Sequence, residues 1–132
     1  MKYLCDTNII SELAGKNPNQ GVMDWAETVS SISISVITIE EIYFGLSWKP
    51  NHRIQNWFEA FIKKHANILN ITRAIAKRAG TLRGQLQAQG ITRSQADLMI
   101  AATAYEHSLT IVTRNTKDFE ACGVAILNPF LD

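Results

Sequence analysis

The sequence predicts a three-layer α/β/α sandwich around a mostly parallel central sheet of about four to five strands, one domain over residues 1–132. Three observations predict it. Short apolar runs alternate along the chain with longer segments whose apolar residues recur at i, i+3, i+4 and i+7. Such alternation is the pattern of strands covered by helices on both faces. The connections carry turn and cap residues, with no repeat, low-complexity tract or internal linker.

Taken in order, residues 2–5 form an apolar first strand. A short helix over 8–13 stops at the loop GKNPNQG, and a second helix covers 22–29. Residues 32–35 alternate Ile and Ser as a strand does, and 37–48 carries Ile39, Ile42, Tyr43 and Leu46 at helical spacing before Pro50. The segment 53–65 is amphipathic through Ile54, Trp57, Phe58, Phe61 and Ile62, and 68–71 is a brief strand. Thr72 is placed to cap a long helix to about Gln89, with Ile75, Ala79, Leu82 and Leu86 on its core face and Gly90 as its stop. Thr92 and Gln95 make a T-x-x-Q capping box for a helix to about His107. Runs at 109–113 and 124–127 complete the sheet.

Composition bounds the chemistry. At 46% hydrophobic and 19% charged residues the chain has an ordinary globular make-up, with no apolar stretch of membrane-spanning length and no signal-peptide pattern. Cys5 and Cys122 make neither a disulfide framework nor a metal spacing, which suits a reducing cytoplasm. His52, His65 and His107 are scattered and are read as surface or packed residues. The formal net charge is +1, but its distribution is uneven. From Phe61 to Ala96 there is no Asp or Glu, while Lys63, Lys64, Arg73, Lys77, Arg78, Arg83 and Arg93 all fall there. This predicts one basic region, either a set of solvated helix faces or a surface for a polyanion.

In parallel sheets, sites form beyond the carboxyl ends of the strands. Asp6, closing the run LCD, stands at such an end; it is either a helix cap or part of a site, because a buried carboxylate needs a partner. Glu40 and Glu41 follow the second strand, where Thr38 and Glu41 also read as a capping box; periodicity does not choose between the two acids. With Thr92 as the cap, Asp97 lies beyond the first helical turn. It heads an apolar stripe of Ile100, Ala101 and Ala104, with no Lys or Arg at i+3 or i+4 and only Arg93 at i−4. Asn115 and Asp118 follow the run LTIVT, in a stretch that also suits an Asx turn. If these acids converge, like charges a few ångströms apart need a cation, and hard oxygen donors select Mg²⁺ or Mn²⁺. Metal-assisted phosphodiester hydrolysis is the chemistry such a site performs, and the basic tract would hold a polyanionic substrate. Arg83, Arg93, Arg114 and Lys117 are placed to contact phosphate.

The segments LCDTNIISEL, SVITIEEIYFG, SQADLMIAATA, LTIVTRNTKDF and AILNPF, in that order, resemble the PIN-domain ribonucleases, and among these the VapC/FitB-type toxins of bacterial toxin–antitoxin pairs. The resemblance covers nearly the whole chain. It implies Asp6 as the first acid, Glu41 as the second because Thr38 and Gly45 fix the frame, and Asp97 as the third. The fourth position falls on Asn115 or on Asp118, and Asn8 and Thr113 match polar positions that support the cluster. It further implies a Mg²⁺- or Mn²⁺-dependent endoribonuclease that suppresses translation by cutting tRNA or rRNA. A cognate antitoxin that also binds operator DNA would restrain it, within homodimers and larger complexes, in the cytoplasm and away from membranes.

Two other readings stand beside this one. A non-catalytic α/β module binding protein or RNA would use the same acids as caps. A phosphohydrolase with an Asp nucleophile expects D-x-D, but Asn8 holds the place of the second acid; nor does a Gly-rich phosphate turn follow the first strand. Tyr43, Phe44, Trp48 and Trp57 are candidate contact aromatics, with core packing expected for most of them.

Overall fold

The structure, a computed structural model, describes residues 2–132. Strand β1 (Tyr3–Cys5) leads into helices α1 (Thr7–Ala14) and α2 (Gln20–Glu27); strand β2 (Ile32–Ser35) is followed by α3 (Val36–Trp48) and α4 (His52–His65). Strand β3 (Ala66–Leu69), helices α5 (Arg73–Ala88) and α6 (Gln95–His107), and strand β4 (Thr110–Val112) come next, then a 3₁₀ turn (Thr116–Phe119) and strand β5 (Ile126–Leu127). All strand pairs are parallel and the sheet order is β3-β2-β1-β4-β5. The chain therefore builds outward from β1 on one side, then returns to build outward on the other. The change of direction lies between β1 and β4, where open parallel sheets leave a crevice at their carboxyl ends.

Alternation along the strands assigns the two layers. Leu4 and Ile111 face the core shared with Ile75, Ala79 and Leu86 of α5 and with Leu98, Ile100, Ala101 and Ala104 of α6. Cys5, Val112, Ile32 and Ile34 face the opposite way, against Ile9 and Ile10 of α1, Val22 of α2 and Phe58 of α4. Helix α3 serves both sides: Ile37 packs on the first core, Ile39 and Ile42 on the second. Among the described residues no helix is long and apolar enough to cross a membrane.

Several expectations shift. The third strand runs Ala66–Leu69, not 68–71, because α4 ends at His65 and passes straight into it. Strands β4 and β5 are shorter than their apolar runs; Val124 packs on the core from outside the ladder. Thr72 caps α5 as expected, its Oγ1 accepting from the Ile75 N–H. Leu82 is only half-buried beside the buried Ile75, Ala79 and Leu86. Thr92 does not cap α6. Ser94 does, in an extended conformation with Oγ accepting from the Asp97 N–H at 3.1 Å, so Asp97 lies in the first turn. The helix dipole supports a carboxylate there. Thr38 is likewise no cap, since Ser35 caps α3 and Thr38 is buried inside it.

The basic tract does not form one surface. Lys63 and Lys64 ride on α4 over one face of the sheet, while Arg73, Lys77, Arg78 and Arg83 ride on α5 over the other. The aromatics also depart from expectation: Trp48 is 74% and Phe44 64% exposed, and Tyr43 is exposed, while Trp57 packs against the core. The buried sides of α3 are already filled by its isoleucines, which leaves these rings outward.

Candidate active site

Asp6 follows β1 directly and caps α1, so the cap reading of its sequence position holds. Its N–H donates to the Val112 carbonyl at 2.9 Å, which fixes the chain turn to β4. The residue is only 6% exposed. Oδ1 accepts from the Thr7 N–H at 2.8 Å; Oδ2 accepts from Thr113 Oγ1 at 2.9 Å and from Asn8 Nδ2 at 3.0 Å. Thr113, fully buried at the end of β4, also accepts from Asn8 Nδ2 at 3.2 Å and from the Asn115 N–H at 3.0 Å. Asn8 Oδ1 in turn accepts from the Arg114 N–H at 3.0 Å. The expected supporting roles of Asn8 and Thr113 thus have a geometric basis.

The second acid is Glu41. Its Oε1 accepts from Thr7 Oγ1 at 2.6 Å, and the same hydroxyl lies 3.1 Å from Thr38 Oγ1. Glu41 is half-buried in the cleft, while Glu40 points outward and is exposed. Thr7 is a residue that sequence reasoning missed; its signal was its place in DTN, directly after a carboxylate.

Asp6, Glu41 and Asp97 line one open cleft of ≈ 480 Å³, together with Asn8, Asn115 and Arg114. Ser11, Glu12 and Phe130 also line it and were not foreseen. Asn115 faces the cleft; Asp118 lies outside that lining, yet its charge reaches Asp97. Of the expected phosphate contacts, only Arg114 borders the cleft. Arg83 sits beside Gln95 and Met99 between α5 and α6, and Lys117 is exposed on the 3₁₀ turn. Arg93 is half-buried with its Nε unpartnered, and its charge is felt by Asp97.

Electrostatics set these acids apart. Burial pushes the Asp6 carboxyl above its ordinary range and the Glu41 charge adds to it; hydrogen bonds from Thr113, Thr7 and Asn8 oppose the rise without cancelling it. Burial likewise raises Asp97, reinforced by Asp118 and Asp6, against opposing contributions from Ser94 and Arg93. Among the described residues the one ion pair is Arg78–Glu106, elsewhere on the surface, so none of the cleft carboxylates is ion-paired.

The donor set suits a hard divalent ion. Every candidate ligand is an oxygen, with no thiolate or imidazole in the lining. Among the described residues no three His, Cys, Asp or Glu side chains are drawn together tightly enough to hold an ion by themselves. Mg²⁺ is commonly bound through one or two carboxylates with waters and substrate phosphate completing its sphere, so an open acidic cleft fits it.

A stability consequence follows. Because the folded pKa values of Asp6 and Asp97 are raised, folding favours their protonated forms. That contribution is present below the unfolded value of about 3.9 and lost as pH rises through the raised values. Without divalent cation, Tm should therefore fall as the pH is raised above about 4, more in wild type than in Asp97→Asn. Mn²⁺ should raise Tm at the higher pH and have little effect at the lower, where protons compete. Thermal melts across pH with and without Mn²⁺ check this, and a cation-insensitive Tm at neutral pH would contradict it.

The PIN domain family model matches residues 3–124. The chain is 32% identical to the VapC ribonuclease Y4jK of Sinorhizobium fredii, with 95% of each chain covered. It is similar to a solved toxin–antitoxin complex from Klebsiella pneumoniae, with TM-score 0.76, 31% identity, and 99% of this chain and 100% of that one covered. It is also similar to VapBC2 from Rickettsia felis, solved bound to a DNA fragment from their promoter. There the TM-score is 0.85 and the identity 27%, over 99% of this chain and 100% of that one.

Proposed function

The chain belongs to the PIN-domain family, and on that footing we propose that it is a toxin-type endoribonuclease that hydrolyses RNA phosphodiester bonds with Mg²⁺ or Mn²⁺. The convergence of Asp6, Glu41 and Asp97 in one cleft at the β1–β4 switch point, none of them ion-paired, carries this reading. A relative named a VapC ribonuclease and a toxin–antitoxin complex of similar fold support it. The protein acts as one nuclease domain over residues 1–132, in the cytoplasm, on tRNA or rRNA, and so inhibits translation and growth. A cognate antitoxin neutralises it, in assemblies built on toxin homodimers, and operator DNA is reached only through the antitoxin. The promoter DNA in the Rickettsia felis structure agrees with that arrangement.

Asp6, Glu41 and Asp97 are the residues to hold the ion, with the Asn115 amide oxygen as a fourth ligand. The bound ion supplies positive charge to the phosphate and makes the attacking water more acidic. Thr113 and Asn8 fix the Asp6 carboxylate, and Thr7 fixes Glu41. Arg114 extends from the cleft wall as the phosphate contact. Asp118 acts at longer range by raising the proton affinity of Asp97.

The test is a map of RNA 5′ ends after brief induction of wild type beside Asp6→Asn. Discrete cuts that depend on Asp6 are the expected result and identify the RNA. Identical maps would favour the non-catalytic binding module instead.

A further inference from the structure

We propose that the C-terminal segment 128–132 is a strap whose Phe130 positions Arg114 for substrate phosphate, which makes Phe130 a positioning residue of the nuclease. The proposal rests on the nuclease reading above.

The strap is fastened at its backbone. Asn19, the cap of α2, donates through Nδ2 to the Leu131 carbonyl at 2.7 Å and accepts through Oδ1 from the Leu131 N–H at 3.0 Å. Gly21 leaves the space: a Cβ there would lie 2.2 Å from the Pro129 carbonyl oxygen and 2.9 Å from the Leu131 nitrogen. Only a glycine lets the helix and the segment approach this closely. The same Asn19 donates its N–H to Glu12 Oε2 at 2.8 Å, and Glu12 lines the acidic cleft. Fastened in this way, the segment delivers the Phe130 ring to the cleft, where the Arg114 guanidinium lies 4.8 Å from the ring centroid.

The kind of contact matters. Arg114 makes no ion pair among the described residues, and an aromatic face holds a guanidinium without consuming its N–H donors. A carboxylate partner would fix the side chain equally well but would occupy the fork that recognises phosphate bidentately. Backbone anchorage to Asn8 at one end and the ring at the other leave that fork free in a cleft lined by Asp6, Glu12, Glu41 and Asp97.

The experiment uses a short RNA spanning a cut site from the 5′-end map, with Mn²⁺, and measures KM and kcat separately. Phe130→Leu keeps apolar packing and removes the aromatic face. It should raise KM roughly two- to fivefold with kcat little changed, while Phe130→Tyr should behave as wild type. In an Arg114→Ala background, Phe130→Leu should have no further effect. An unchanged KM in Phe130→Leu, a loss confined to kcat, or an undiminished effect without Arg114 would overturn the role of the strap and leave the nuclease standing. A map without cuts would remove the nuclease reading and the strap's role with it.

Discussion

Asp97→Asn should abolish RNA cleavage while leaving a folded, cooperative protein. Loss of a residue that merely supports a metal ligand typically lowers affinity or activity by about 10–100-fold, so removing a ligand carboxylate should cost more. Asn is nearly isosteric, and the backbone N–H of residue 97 still meets Ser94. In metal-free buffer the variant should even melt higher at neutral pH, since the repulsion from Asp6 and Asp118 disappears. Asp6→Asn is expected to be as inactive but structurally less clean. Both Asp6 oxygens accept hydrogen bonds, and an amide nitrogen in the Oδ2 position would face the Asn8 Nδ2 donor. Gel assays of end-labelled RNA beside thermal melts test both. Full activity of Asp97→Asn in buffer containing a chelator would refute the mechanism.

Thr113→Val carries the second large effect, although the residue bears no charge and never faces solvent. Its hydroxyl donates to Asp6 and accepts from Asn8 and the Asn115 N–H, so the near-isosteric Val strands several polar groups at once. Each buried group left without a partner costs about 1–3 kcal/mol, and Asn8 and Asn115 retain partial access to water. A destabilisation of about 2–4 kcal/mol in urea titration follows, together with an activity loss of about 10–100-fold. Thr113→Ser restores the hydroxyl and should recover most of both. A Val variant as stable and active as wild type would mean that Asp6 is held by Thr7 and Asn8 alone.

The strand–helix alternation, and Asp6 and Asp97 as acids needing a partner, were legible because each signal is local. Glu41 was not separable from Glu40 by period: α3 packs on both cores, so no single apolar face marks its inside. Only the motif frame selected it, and the cleft agrees. The cap of α6 was misplaced because Thr92 and Ser94 are both hydroxyl residues, and backbone conformation chooses between them. The basic tract, continuous in sequence, is split by the sheet, since α4 and α5 cover opposite faces. Phe130 and Asn19 were invisible as site residues: their roles depend on contacts across 112 positions of chain. Between Asn115 and Asp118 the motif did not choose; Asn115 lines the cleft, while Asp118 lies outside that lining with its charge acting on Asp97.

The parallel pairing of β1 with β4 has a consequence for synthesis. Asp6 leaves the ribosome well before its partner Thr113, which lies 107 positions later. Strand β4, which closes the switch point, cannot add to β1 until residues 110–112 have been made. Contacts of such long sequence separation form late. The hydrogen bonds that hold the Asp6 carboxylate are therefore incomplete on a nascent chain until β4 has emerged.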